Sequence, residues 1–135
     1  MAERSDLKAM LSGLNPVLHD SLCVFGTLGT RQWSELEKWQ PLATFSEAEG
    51  WSVVVRKTIA DAEGLEYHGC FRLLTLQVHS SLTAVGLTAA VAGALAESSI
   101  SANVVAAYHH DHLLVTAADA EEALKVLRQL SKQYR

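Results

Sequence analysis

Residues 71–96 read FRLLTLQVHSSLTAVGLTAAVAGALA, and the reading of this stretch decides the fold. Phe71 to His79 runs apolar or alternates, as a buried strand does. Ser80 and Ser81 follow, hydroxyl residues able to cap a helix. Leu87, Val91 and Leu95 then recur at i, i+4 and i+8, which places them on one helical stripe. Ala89, Ala90, Ala92, Gly93 and Ala96 occupy its other faces, where small residues allow a sheet or helix to approach closely. Ser98 and Ser99 end it. From Leu73 to Ala96 only His79 can carry charge, so the stretch matches a membrane span in length. Its interior step, Gln77-Val78-His79-Ser80-Ser81, is too polar for mid-span. A buried strand, a polar turn and a buried helix accommodate both facts.

The next residues, ISANVVAAYHHDHLLVT from 100 to 116, extend the pattern. Ile100 to Tyr108 predicts a strand, His109 to Asp111 a tight connection, and His112 to Thr116 the return strand. Asp119 predicts an N-cap for a last helix, with Glu122 three residues on as its capping-box partner. Ala120, Ala123, Leu124, Leu127 and Leu130 would form the buried face of that helix. Lys125, Arg128, Lys132 and Arg135 lie toward its C-terminal end, where cations complement the helix dipole. From about Gly69 onward the order is therefore β-α-β-β-α. This is an α+β, ferredoxin-like unit lacking its last strand, an antiparallel sheet with both helices on one face. The missing strand leaves a sheet edge for the N-terminal half or a second subunit to cover. The two halves are expected to interlock.

The first half is less regular. Ser5 to Leu14 predicts a short helix, with Ser5 as N-cap and Leu7, Met10, Leu11 and Leu14 at helical spacing, ended by Asn15-Pro16. Val17 to His19 and Leu22 to Leu28 are two strand candidates. Arg31 to Trp39 suggests a helical turn or a structured loop. Beyond Pro41, Leu42 to Ala48 and Trp51 to Arg56 predict two strands joined by a turn at Glu49-Gly50. Thr58 to Glu63 predicts a helix stopped by Gly64.

The chain has 135 residues, enough for one domain or two small units. About half its residues are apolar and about a fifth are charged, as in compact domains. A net charge of −4 with no basic run leaves no footprint for nucleic acid. Cys23 and Cys70 stand apart in apolar contexts, as buried thiols do. MAERSDLK at the start lacks the apolar core of a signal peptide, so a cytoplasmic protein is expected.

The run from His79 to Leu95, followed by Ile100 to Val115, resembles the ACT domain. The resemblance is closest to small bacterial proteins of two tandem ACT-like units. Their first unit carries an E-x-EG turn before a β-rich strand, matched here by Glu47-Ala48-Glu49-Gly50-Trp51. The resemblance implies an N-terminal ACT-like unit over 1–66 and a C-terminal ACT domain over 67–135. It implies a regulatory protein that binds a small ligand, most often an amino acid, near the interface between units. It also implies a homodimer and a regulated enzyme or transporter as partner, with no catalytic domain and no cofactor.

Three motifs are candidates for chemistry. The first is the turn Ser80 to Gly86. Free N–H groups at a helix N-terminus, with nearby hydroxyls, suit a carboxylate, and the alternative is that Ser81 or Thr83 only caps the helix. The resemblance assigns the ligand to Ser81, Ala84, Val85 and Gly86, with Asn103 and Val104 from the facing strand. The second is His109-His110-Asp111-His112. In a hairpin, neighbouring side chains point to opposite faces, so only alternate pairs converge. A structural turn is the simpler reading, beside a metal site or a pH-sensitive ligand contact. The third is Glu47 with Glu49, two carboxylates that can share a face or simply flank a turn. The resemblance makes Glu49 the candidate to hold a ligand amine. Trp33, Trp39 and Trp51 are expected as core or interface anchors. His19, His68 and His79 carry no partner signal and are read as structural. No nucleophile motif, P-loop or dinucleotide fingerprint occurs. Two further functions stay open: a protein interaction module without a small ligand, and a metal-binding protein using His109 to His112.

Overall fold

The computed structural model describes residues 6–135, so the expected Ser5 cap lies outside the described residues. The chain packs as two compact units. The larger comprises the chain up to Asp20 together with Arg72–Arg135, and the smaller is Ser21–Phe71.

In the larger unit, α1 (Leu7–Ser12) starts at Asp6, whose carboxylate accepts from the Lys8 N–H at 3.2 Å. Strand β1 (Pro16–Gly29) gives this unit its first residues. Strand β4 (Phe71–Leu76), helix α3 (Leu87–Glu97), strands β5 (Asn103–Ala106) and β6 (Asp111–Thr116), and helix α4 (Ala120–Lys132) complete it. The strand order here is β1, β4, β6, β5. The β-α-β-β-α order is thus as expected, and the missing strand is supplied by the chain's own β1. Arg72 Nε donates to the His19 carbonyl at 2.9 Å and the Gln77 N–H donates to the Asn15 carbonyl at 3.3 Å. Rising numbers on one strand meet falling numbers on the other, so the two run antiparallel.

Strand alternation sends Leu74 and Leu76 of β4 and Leu113 and Val115 of β6 to one face. There they meet Met10 and Leu11 of α1, Val91 and Leu95 of α3, and Ala123 and Leu127 of α4 in one cluster. Burying Leu-sized side chains from three helices on this sheet is the main stabilising term, at about 1.5–3 kcal/mol each. Ser131 also donates to the Ser12 carbonyl at 3.1 Å, which ties α4 to α1.

Helix starts differ from the sequence expectation in two places. The N-cap of α3 is Gly86 at φ +106°, six positions beyond Ser80, so neither Ser80 nor Ser81 caps it. A positive φ is open to glycine and costly for other residues. For α4, a 3-10 turn at Ala117–Asp119 precedes the helix, and Asp119 makes no side-chain cap. Its carboxylate instead accepts from the Thr116 hydroxyl at 3.1 Å, which replaces the capping box with Glu122.

The smaller unit holds the rest of β1, β2 (Ala43–Glu47), β3 (Gly50–Arg56) and α2 (Lys57–Glu63), in strand order β2, β3, β1. The two strands expected before Gly29 are one continuous β1. Exposed Asp20 and Ser21 keep extended backbone, and the irregularity falls at Thr27/Gly29 instead. Trp33–Trp39 is a 3-10 helix with a Gln32–Glu35 capping box. Val24, Leu28, Leu36, Trp39, Val53 and Val55 form the core of this unit. Trp39 is the buried anchor; Trp33 is 65% exposed and lies against Trp51 at 4.9 Å. At Gly50, φ is +126° and a Cβ would collide with the Gly29 carbonyl, so the β2–β3 turn requires glycine. Both cysteines are free, and burial pushes the Cys23 thiol up to about 11, with Cys70 adding to the rise and Arg56 opposing it.

Candidate functional site

The loop between β4 and α3 is held by its own hydroxyls. Ser81 Oγ accepts from the Thr83 N–H at 3.2 Å and lies 2.9 Å from Thr83 Oγ1. The Ala84 N–H returns to the Ser81 carbonyl at 3.0 Å. This turn closes before Gly86, where the left-handed backbone redirects the chain into α3. Gly86 also packs on α1, since a Cβ there would stand 3.0 Å from Leu7 Cδ2.

The β5–β6 hairpin faces this loop. Ala106 pairs with Asp111 and Val105 with His112, and the Ala107 N–H closes the turn on the His110 carbonyl at 3.0 Å. Between loop and hairpin lies a cleft of about 70 Å³. Ser80, Ser81 and Ala84 form one wall, and His109, His110 and Asp111 form the other. Since a water molecule occupies about 30 Å³ of liquid, the cleft as it stands admits a carboxylate-sized group.

Five of the chain's six histidines, all but His68, gather around the hairpin. The rings of His79 and His110 are 4.7 Å apart, and those of His109 and His79 are 6.4 Å apart. His112 follows His110 at 6.4 Å. His112 Nδ1 lies 2.9 Å from the buried Thr75 hydroxyl, and His19 Nε2 reaches the same hydroxyl at 2.8 Å. His19 and His79 therefore have partners that sequence spacing did not show. The ring Nδ1 of His110 is buried without a hydrogen-bond partner among the described residues. Burial raises the Asp111 carboxyl above its ordinary value, against the pull of His112, His110 and a hydrogen bond from Ser80. Burial lowers His112, aided by His110 and His19 and opposed by Asp111.

The structure brings some of the expected residues together. Ser81 and Ala84 line the cleft. Val85 is 85% exposed and does not line it. Asn103 Nδ2 donates to the Leu114 carbonyl at 3.2 Å. Val104 packs against the core. Glu49 sits in the β2–β3 turn of the smaller unit, where neighbouring Glu47 accepts from the Ser52 hydroxyl. The histidine wall and Asp111 were visible as a motif but not as a partner of the loop. Register was the absent signal, because pairing Ala106 with Asp111 is what turns the hairpin tip toward Ser80. Among the described residues, no three His, Cys, Asp or Glu side chains converge as a metal-ligand set. Among them, too, no helix is long and apolar enough to cross a membrane.

Two ACT domain family models match the chain, one over residues 3–72 and another over 71–129. No curated protein matches it. Among solved structures, it is similar to a Vibrio cholerae protein of unknown function described as a possible transport protein. Identity there is 42%, with 93% of this chain and 95% of that one covered, at a TM-score of 0.85. It is also similar in fold to an Agrobacterium tumefaciens protein, at 16% identity, 86% and 87% coverage and TM-score 0.70. The regulatory subunit of aspartate kinase from Thermus thermophilus shares the fold at 12% identity, with 85% and 95% coverage and TM-score 0.60.

Proposed function

The chain belongs to the ACT domain family, with two tandem ACT units, and from that premise we propose that it is a non-catalytic regulatory protein that binds an amino acid. The modules are taken as 1–66 and 67–135, and the ligand is held by the second. The observation that supports this reading is the cleft between Ser80–Ala84 and His109–Asp111. It sets hydroxyls and imidazoles, which suit a carboxylate, beside the Asp111 carboxylate, which suits an ammonium group. A zwitterion presents both kinds of charge. The remainder of the ligand projects past Ala84 and Gly86, since the cleft itself takes only the head group. Val85, Asn103 and Val104 act from behind or beside the site, and Glu49 belongs to a second, equivalent position in the first module. We set this function in a cytoplasmic homodimer that reports to an enzyme or transporter, as the family resemblance implies.

A thermal-shift panel of the common amino acids tests the proposal. A ligand at a hundred times its dissociation constant stabilises the folded state by about 2.7 kcal/mol. One amino acid, or a small related group, is expected to raise the melting temperature at millimolar concentration. A flat response across the panel would refute amino-acid binding.

The interaction-module reading has one observation in its favour. A groove of about 690 Å³ runs between α3 and α4, floored by Ala90, Gly93 and Ala94. Recovery of one protein partner, with binding indifferent to amino acids, would favour that reading over the first.

A further inference from the structure

We propose that His109 and His110, with the His79 ring packed beside them, make the cleft a proton-linked carboxylate site, so that a carboxylate binds with uptake of a proton by these imidazoles. The proposal rests on reading the cleft as the ligand site, and it adds what controls occupancy there.

Three observations carry it. The rings of His79 and His110 stand 4.7 Å apart, and two imidazolium charges at that spacing repel. An anion placed between loop and hairpin offsets that repulsion and so favours the protonated form. The buried Nδ1 of His110 has no partner among the described residues, and a buried polar atom left unpaired is costly. A shift of the hairpin tip that opens this nitrogen to the adjoining cleft would let a carboxylate oxygen accept from it once it carries hydrogen. Finally, both His109 and His110 line the cleft, so the charge would form at its wall.

The other groups facing this cluster set the balance. From β6 come Asp111, which accepts from Ser80, and His112, which is held to the Thr75 hydroxyl of β4. From β1 comes His19, on the same hydroxyl. The hairpin tip adds Tyr108, whose ring lies 5.0 Å from that of His109. Thr88, at the start of α3, adds no charge. Among the described residues, Asp111 is thus the one acid lining the cleft, and its hydrogen bond from Ser80 occupies part of its accepting capacity. Protonating the imidazoles turns the cleft from an acidic to a basic lining.

The probe is acetate, a carboxylate without an amine, titrated against sodium chloride at equal ionic strength. Histidine ring carbon–proton NMR signals are followed at pH 6 and pH 8, with His68 of the smaller unit as internal control. A bound carboxylate that favours the imidazolium form is linked to proton uptake, so acetate is expected to bind several-fold more tightly at pH 6 than at pH 8. The expected result is that acetate moves the His79, His109 and His110 signals with this pH dependence and leaves His68 still. In His110→Gln, which keeps a donor but cannot titrate, the ratio should fall toward one. If that variant fails to fold, His109→Gln at the exposed tip serves the same purpose. Equal affinity at both pH values, equal movement of His68, or an unchanged ratio in the variant that folds would overturn the proposal. Amino-acid binding that is independent of pH would overturn it while leaving the ligand reading intact. Proton-linked acetate binding with no response to any amino acid would sustain it and remove the amino acid.

Discussion

Replacing Gly86 with alanine tests the backbone geometry on which the cleft depends. Gly86 holds φ +106° and ψ −20°, outside the regions open to residues with a Cβ. Left-handed backbone costs about 1–2 kcal/mol for an alanine, and sparsely populated conformations run to about 3 kcal/mol. The added methyl would also stand 3.0 Å from Leu7 Cδ2. Leu7 is 36% exposed and can turn aside, so this contact adds little. The sum is a loss of about 2–3 kcal/mol, or about 8–12 °C in melting temperature for a chain of this length. Gly93 supplies the control seven residues on. It lies inside α3 with no neighbouring atom within 4 Å of where a Cβ would stand, so Gly93→Ala should stabilise by about 0.5–1 kcal/mol. Urea unfolding of both variants reads the two signs in one assay. A neutral or stabilising Gly86→Ala would refute the left-handed cap and, with it, the loop that forms one cleft wall.

Other outcomes follow from burial and charge. Leu95→Ala should cost about 2–5 kcal/mol in denaturant unfolding, because Leu95 is fully buried where α3 meets the sheet. Cys23, with its thiol near 11, should be about 0.1% thiolate at pH 8 and should resist alkylation until the protein unfolds. His112 is held neutral by burial, so the folded state binds fewer protons than the unfolded one below the ordinary value of 6.5. Stability is then complete above pH 6.5 and falls as pH drops below it, and His112→Gln should lessen that fall in melting curves. Asp111 works in the opposite sense. Its raised value means stability rises as pH falls toward 3.8, so Asp111→Asn should stabilise at pH 7 more than at pH 4.

The second half of the fold was legible because its apolar periods are long and uninterrupted. Leu87, Val91 and Leu95 mark one helical stripe in a run rich in alanine, a strong helix former, and the runs before and after carry the apolar pattern of strands. The first half was harder. Asp20 and Ser21 look like a break between strands, yet polar residues at exposed strand positions cost nothing, and β1 runs through them. Capping residues misled for a related reason. Ser81 and Asp119 have the right chemistry, but their oxygens are used within local turns, Ser80 donates to Asp111 instead, and the turn at Gly86 starts α3 later. Half of the site was readable in the same way. The loop hydroxyls follow from local sequence, whereas its histidine wall depends on β5–β6 register and on Thr75 and His79, some 30 residues away in the chain.

Amide chemical-shift mapping under a millimolar amino-acid panel tests the central claim most directly. If the cleft holds an amino acid, the one that binds will shift the amides of Ser80 to Gly86 together with those of Ala106 to Asp111, and will shift α2 far less. Shifts confined to other residues, or none with any amino acid, would contradict that claim.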